Sequence, residues 1–505
     1  MQSGVGFNAP FYAQFRRKAE IRRIRSHLKA VVLVYCRGGA ALGDWGVVGL
    51  GVCGRGAVVV GGVGAVRQWG GGFGGVEPLP RRRPHLHSAP LRYNSAMSMT
   101  RREFLKRSAV AAAAASFSTL IARANQQEKV KVGVIGTGAQ GQNLLRQLMG
   151  MPSAEVVAVC DIYAPNRIRA VELTQFRAQG YSDYRALLER KDIEAVVIAT
   201  PLHLHAPMTI DALQAGKHVF CEKAIAYSID EARQMAQTAQ RTGKILQIGH
   251  QRHYNDTYTQ AYWLIKEGAI GKITHVRVLW HRNNSWRRPV PDPKFERLLN
   301  WRLYKDYSHG LLTELASHQL DVVNWFLGAL PISVMGYGGI DYWKDGREVY
   351  DNVELIFNYP GGVRVMYSSI TTNAYDGYGE WFFGDKGTMA LTNETSGLLF
   401  RERNAEKLEW EDDANTVQVD GRRAVVIEPT PTRRAPQRGE QLAQQGQRNA
   451  YYAELEHFLQ CVRTGEQPKC TAADALPALT CVLGAKTAIE TGAVHEFKPE
   501  EFRIA

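Results

Sequence analysis

Residues 130–161 impose the strongest constraint on the fold. Val-Lys-Val-Gly-Val-Ile at 130–135 is β-branched and apolar, as a strand buried on both faces is. Gly136-Thr137-Gly138-Ala139-Gln140-Gly141 follows at once, and Asn143, Leu144, Leu145 and Leu148 then give a helical period. The first glycine permits a tight turn, the second lets a phosphate approach the backbone, and the third lets the helix pack on the strand. Free N–H groups and the dipole at the helix start suit a pyrophosphate. A second apolar run, 155–160, ends at Asp161, twenty residues after Gly141. That is where an acid binding a ribose 2′-hydroxyl belongs, and a 2′-phosphate there would meet a carboxylate. The expectation is a dinucleotide site for NAD, with NADP disfavoured.

The chain ahead of this stretch has a different character. Residues 1–99 carry 14 Lys+Arg against 3 Asp+Glu and hold 18 of the 48 glycines. They show no periodic core pattern, and we expect a spurious upstream translation or a disordered basic arm. Thr100-Arg101-Arg102-Glu103-Phe104-Leu105-Lys106, the apolar run 109–122 and Ala122-Arg123-Ala124 read as a twin-arginine signal peptide, 100–124, with a mature start near Asn125. Its apolar core is too short to span a membrane, and export to the periplasm is expected. The formal charge of +13 lies in these segments, and the rest of the chain carries −2. Nucleic acid and anionic membranes are therefore not expected partners.

About 380 residues remain, enough for two domains. The first, 125–252, alternates strands and helices and predicts a doubly wound parallel α/β sheet. The strand ends carry Gly136, Asp161, Thr200-Pro201, Glu222-Lys223 and His250-Gln251-Arg252, and ligands of such sheets bind at those ends. Ser228 with Glu231 makes a capping box. The second domain, 253–505, has period-two runs such as 273–280, 353–358 and 363–371, separated by turn signals. It is expected to be α+β with a large, mostly antiparallel sheet, closed by helices over 451–462 and 472–491. Residues 401–449 are polar and Pro-punctuated and predict a surface excursion. The cysteines at 160, 221, 461, 470 and 481 have no metal spacing. A bridge from Cys470 to Cys461 or Cys481 stays open in an oxidising compartment.

The chemistry concentrates in Glu314-x3-His318-x2-Asp321. This spacing puts both carboxylates near the imidazole on one helix face, which suits a general base or an ordinary salt bridge. His309 precedes the helix, so no metal is expected. Lys223, just after a buried strand, reads either as a donor to a substrate hydroxyl or as a surface lysine paired with Glu222. Trp280, Trp286, Trp301, Tyr307, Tyr375 and Tyr378 are candidates for stacking on sugar faces or for plain packing.

From about Lys129 onward the chain resembles the glucose–fructose oxidoreductase, inositol dehydrogenase and rhizopine-catabolism (Gfo/Idh/MocA) family. The resemblance rests on 133–141, Ala199-Thr200-Pro201 with His205, Cys221-Glu222-Lys223, Gly249-His250-Gln251-Arg252 and Glu314-x3-His318-x2-Asp321. It implies a Rossmann domain followed by an open-faced sheet domain that often oligomerises. It also implies NAD or NADP, and oxidation or reduction of sugar and cyclitol hydroxyls. Carried over, Gly136, Thr137, Gly138, Ala139, Gln140, Gly141, Asp161, Thr200, Pro201, His205, Glu222, Lys223 and Gln251 would hold the cofactor. Lys223 would orient the reacting hydroxyl and His318 would take its proton. Glu314 would stand where the family usually has Asp, and Arg252 and Asp321 would join Lys223 and His318 at the substrate. Ala224 replaces the proline of the Glu-Lys-Pro motif, which loosens that turn and leaves Lys223 room to move. Leu202 stands where Asn is common. Two further readings stay open: a redox-neutral NAD-dependent glycosidase, and a nucleotide-holding protein without catalysis.

Overall fold

The computed structural model describes residues 129–427 and 449–504. The N-terminal extension, residues 100–124 expected to form a signal peptide, and residues 428–448 of the polar stretch lie outside the described residues.

Strand β1 (Val130–Ile135) and helix α1 (Ala139–Met149) flank the glycine loop. β2 (Ala154–Cys160), α2 (Ala164–Leu173), β3 (Gln179–Tyr181), α3 (Tyr184–Leu188) and β4 (Ala195–Ile198) follow. α4 (His205–Gln214), β5 (His218–Glu222), α5 (Ile229–Thr242) and β6 (Leu246–Gly249) complete the unit. All pairings are parallel, in the order β3-β2-β1-β4-β5-β6. The strand order reverses between β1 and β4, which opens a crevice at their C-terminal ends. Apart from Lys131 those strands are apolar because helices cover both faces: Val132, Val134, Val196 and Val197 are fully buried. Ser228 and Glu231 form the predicted capping box on α5, and Gly243 ends it at φ +64°.

Helix α6 (Asp256–Lys266), capped by Asn255, leads into a ten-stranded sheet. Its strands are β7 (Ile273–His281), β8 (Ser333–Gly339), β9 (Asn352–Asn358), β10 (Arg364–Ile370) and β11 (Tyr378–Gly384). β12 (Gly387–Thr392), β13 (Ser396–Arg401), β14 (Thr416–Val419), β15 (Arg422–Val426) and β16 (His495–Glu496) continue it. The order is β14-β15-β13-β12-β11-β7-β10-β9-β8-β16, and β7 with β10 is the one parallel pair among the described strands of this sheet. The longer helices that follow α6 are α7 (Ser317–Leu327), α8 (Ala450–Thr464) and α9 (Ala472–Thr491). α9 is long and apolar enough to cross a membrane, yet Leu476, Leu479 and Val482 are buried within the protein.

Two expectations are corrected. Residues 416–426 of the polar excursion are strands at the sheet edge, where Ala424 and Val425 are buried. All five described cysteines are free and buried, so neither bridge forms.

Candidate active site

A cavity of about 960 Å³ runs from the crevice at β1 and β4 toward the concavity formed by β7, β11 and α7. Its size suits a dinucleotide with a small substrate beside it.

At the crevice end, Gly136, Gly138, Ala139 and Gln140 form the wall. Gly136 has φ +83°, a left-handed conformation that favours glycine. A Cβ on Gly141 would sit 1.8 Å from the Gly136 carbonyl oxygen, which is why α1 can approach β1 so closely. A Cβ on Gly138 would meet nothing within 4 Å, so the loop is open there to a ligand. No side chain caps α1 at Gly138, which leaves its first turn available to an anion. Thr137 and Gly141 stand behind this wall rather than on it.

Asp161 is held by the loop it serves. Its Oδ2 accepts from Thr137 N (2.8 Å), Thr137 Oγ1 (3.2 Å) and Asn166 Nδ2 (3.3 Å), and its Oδ1 accepts from Tyr163 N (2.8 Å). A carboxylate offers about four lone-pair sites, two on each oxygen, so Oδ1 keeps capacity for a hydroxyl donor.

Thr200, Pro201 and His205 continue the wall from β4 into α4. The Thr200 Oγ1 is buried without a partner. His205 bridges two backbone carbonyls, Ala224 O at Nδ1 (2.8 Å) and Thr200 O at Nε2 (3.0 Å). Burial pushes its ring below the usual imidazole value, and a neutral ring donates from only one nitrogen at a time. Donation from Nδ1 to Ala224 O, the shorter contact, ties the start of α4 to the segment after β5. Glu222 accepts from Gln140 Nε2 (2.6 Å) and from Lys223 N (3.1 Å), and burial raises its pKa. Gln251 lines the cavity and donates to Glu394 on the β12–β13 turn (3.2 Å).

Lys223, followed here by Ala224, reaches the site. It lines the cavity, the Lys223–Ala224 peptide is cis, and Nζ donates to the Glu314 carbonyl oxygen at 2.9 Å. Burial lowers its pKa, with Glu314 and Glu222 acting the other way.

The carboxylate–histidine arrangement differs from the expectation. Residues 312–316 form a π-helical turn ahead of α7. Glu314 lines the cavity, but its carboxylate accepts from Arg302 Nε (2.7 Å) and Ser308 Oγ (3.3 Å). Asp321 does not line the cavity and accepts from His253 Nε2 at 2.9 Å, with His250 Nδ1 at 3.4 Å. Neither carboxylate is hydrogen-bonded to His318, whose Nδ1 is buried without a partner. His318 lines the cavity beside Trp280, with ring centroids 5.6 Å apart. Burial first, then Lys223, Arg252, His250 and Arg282, hold its pKa well below the imidazole range. Burial and these cations thus favour the neutral ring.

Arg252 is likewise corrected: it is 1 % exposed, stands off the cavity wall and pairs with Glu380 (2.5 Å) and Glu394 (3.0 Å). Of the aromatic candidates, Trp280, Trp286, Trp301, Tyr307 and Tyr378 line the cavity, while Tyr375 is 81 % exposed elsewhere. Sequence reasoning missed the arginines at 282, 288 and 302, which also line it. Their signal was present, since five arginines fall within residues 282–302 directly after β7.

A sequence model described as "Oxidoreductase family, NAD-binding Rossmann fold" matches residues 130–250. Its companion, "Oxidoreductase family, C-terminal alpha/beta domain", matches residues 263–496.

The chain belongs to the Gfo/Idh/MocA oxidoreductase family.

Residues 130–250 are its NAD-binding Rossmann domain. The loop open at Gly138, the partnerless Thr200 Oγ1 and the spare capacity of Asp161 fit that cofactor. Among family members, inositol 2-dehydrogenase of Salmonella typhimurium is 34% identical over 202 residues, 39% of this chain and 54% of that protein. Glycosyl hydrolase family 109 protein 1 of a Shewanella species (strain MR-4) is 32% identical over 189 residues, 36% of this chain and 40% of that protein. The chain thus matches about half the length of these curated relatives or less. A levoglucosan dehydrogenase solved with NADH shares the fold, with a TM-score of 0.59 and 20% identity over 74% of this chain and 100% of that one.

Proposed function

We propose that this protein is an NAD-dependent oxidoreductase acting on a CH–OH group of a sugar, cyclitol or glycoside. The observation that carries the reading is that Lys223 and His318 share one cavity with the glycine loop and Asp161. The loop, Asp161, Thr200 and Glu222 would hold NAD, which when bound supplies hydride exchange with a carbinol carbon. The chain's own residues do the rest. Lys223 is anchored through one N–H on Glu314 O and has two more to offer a substrate hydroxyl. His318, neutral and with a free Nδ1, takes the hydroxyl proton. Trp280, Trp286 and Tyr378 offer flat faces to a sugar ring and exclude water from it.

A second reading, the redox-neutral glycosidase, is supported by the likeness to a family 109 glycosyl hydrolase. The reading of a nucleotide holder without catalysis draws on the altered motif around Lys223, and the place of Lys223 on the cavity wall favours the enzyme instead. Export by the twin-arginine route belongs to the proposal, with NAD folded in beforehand and kept bound. So does self-association through the open sheet. There the cross-strand neighbours Met335, Ile356 and Met366 are 47%, 45% and 54% exposed in an apolar row.

Anaerobic screening of sugars and cyclitols against the purified protein, watching the bound nicotinamide absorbance, tests the main reading. A hydroxyl compound that changes it supports dehydrogenation. Aglycone release from aryl glycosides without net change supports the glycosidase, and neither response removes both.

A further inference from the structure

The substrate end of the cavity carries more positive charge than its acids neutralise. Five arginines line it. Arg287 is paired with Glu296 and Asp345, Arg297 with Asp306 and Glu348, and Arg302 with Glu314. Arg282 and Arg288 have no carboxylate partner and no side-chain hydrogen bond among the described residues. Arg282 is half-buried, with its guanidinium 5.0 Å from the ring centre of Trp280 and 6.0 Å from that of Trp286. Its backbone N–H is fixed on Ile370 O, so the side chain leaves the end of β7 from a rigid base. Arg288 is anchored at its backbone by the Asn300 side chain on both N–H and C=O. Both feel the charge of Arg302, and Arg282 also faces Glu314, Lys223 and His318.

The Arg282 guanidinium, partly dry and without a counter-charge, has only the two indole faces to offset the hydration it loses, while Arg288 is exposed on the same wall of the cavity. Planar guanidinium groups also match carboxylate and phosphate oxygens in pairs. The glycine loop and the start of α1 already serve a pyrophosphate, and Arg282 lies at the other end, beside the proposed proton acceptor. The missing negative charge therefore belongs on the substrate.

We infer that the substrate is an acidic carbohydrate, a sugar bearing a carboxylate or phosphate, whose anionic group pairs with Arg282 and Arg288. This rests on the oxidoreductase reading for the site but names its substrate class. Arg282 and Arg288 are specificity-determining rather than catalytic.

The test is binding, so that it can succeed or fail independently of turnover. The full-length protein with its bound nucleotide is titrated with glucuronate, galacturonate and glucose 6-phosphate, and with glucose and galactose as neutral counterparts. Tryptophan fluorescence, reporting from Trp280 and Trp286, and calorimetry follow the titrations. At least one acidic sugar should bind about tenfold or more tighter than its neutral counterpart, and the margin should shrink as salt rises. A uronate preference assigns a carboxylate; a glucose 6-phosphate preference assigns a phosphate. The Arg282→Gln/Arg288→Gln variant should lose that margin, and the Lys/Lys variant, which keeps the charge, should retain part of it. Equal binding of acidic and neutral sugars overturns the inference. So does loss of bound nucleotide in the Gln/Gln variant with the acid preference intact, because the arginines would then serve the cofactor.

Discussion

The Lys223 ammonium donates to the backbone carbonyl of Glu314 at 2.9 Å, joining the end of β5 to the π-helical turn ahead of α7. The acceptor is backbone, so the anchor survives a change of the Glu314 side chain. Lys223→Met removes the donor and should lower kcat by about 10²–10³-fold with the nucleotide still bound. Glu314→Gln should cost less, since Lys223 stays in place. Stopped-flow reduction of the bound nicotinamide compares the two, and equal losses would point to the Glu314 carboxylate instead.

The pH dependence follows from buried neutral rings. His250 is pushed down to about 4, first by burial, and His318 lies well below the imidazole range for the same leading reason. Below about pH 6.5 the unfolded chain protonates these rings while the folded one does not. The unfolded state then binds more protons, so their contribution to stability falls as pH drops from about 6.5 toward the folded values. Urea midpoints should decline over that window in the wild type and decline less in His318→Asn. An identical decline in both would remove His318 from the account. The acid limb of kcat/KM should also lie below the usual imidazole value.

Glu454 gives the opposite sign. Both of its carboxyl oxygens are buried without partners, and burial, reinforced by Glu222 and Glu394, raises its pKa well above the ordinary value. Its proton is present in the folded protein and absent from the unfolded chain above about pH 4.3. Stability is therefore full below that value and is lost as pH rises toward the folded pKa. Glu454→Gln should match the wild type near pH 4 and exceed it by on the order of 1 kcal/mol at neutral pH. Chemical denaturation at two pH values measures this, and a destabilised variant at neutral pH would contradict it.

Arg252→Met strips Glu380 of its buried partner and should cost about 3–5 kcal/mol in unfolding free energy. Adding Glu380→Gln should recover part of that loss. A variant that keeps full stability but binds sugar weakly would return Arg252 to the substrate site.

Met366→Glu places a charge in the middle of the apolar row on the open sheet. If that face joins copies of the chain, sedimentation should show the wild type larger than the variant. A wild type that sediments as a single chain removes the interface.

The glycine loop was legible in the sequence because its demands are local. A tight turn, a close helix approach and an acid at the next strand end all fall within 32 residues. The second domain's type was also legible, since strands such as β10 alternate buried and exposed positions. The partners of individual polar side chains were not. Spacing placed Glu314, His318 and Asp321 together, yet Asp321 turns to His250 and His253, brought in by the turn after β6. Arg252 looked like a site residue because charge at a strand end usually is one, but Glu380 and Glu394 lie some 130–140 residues on. β14 is exposed along nearly its whole length, so no apolar period marked it.

Asp161 has a consequence for how this protein can change. Its carboxylate gathers Thr137, Tyr163 and Asn166 as well as offering itself to a ribose. Exchanging it for a residue that welcomes a 2′-phosphate would also release the backbone of the glycine loop. Cofactor choice and loop architecture are thus inherited as one character here, and a switch of preference needs a second, compensating change at Thr137 or Tyr163.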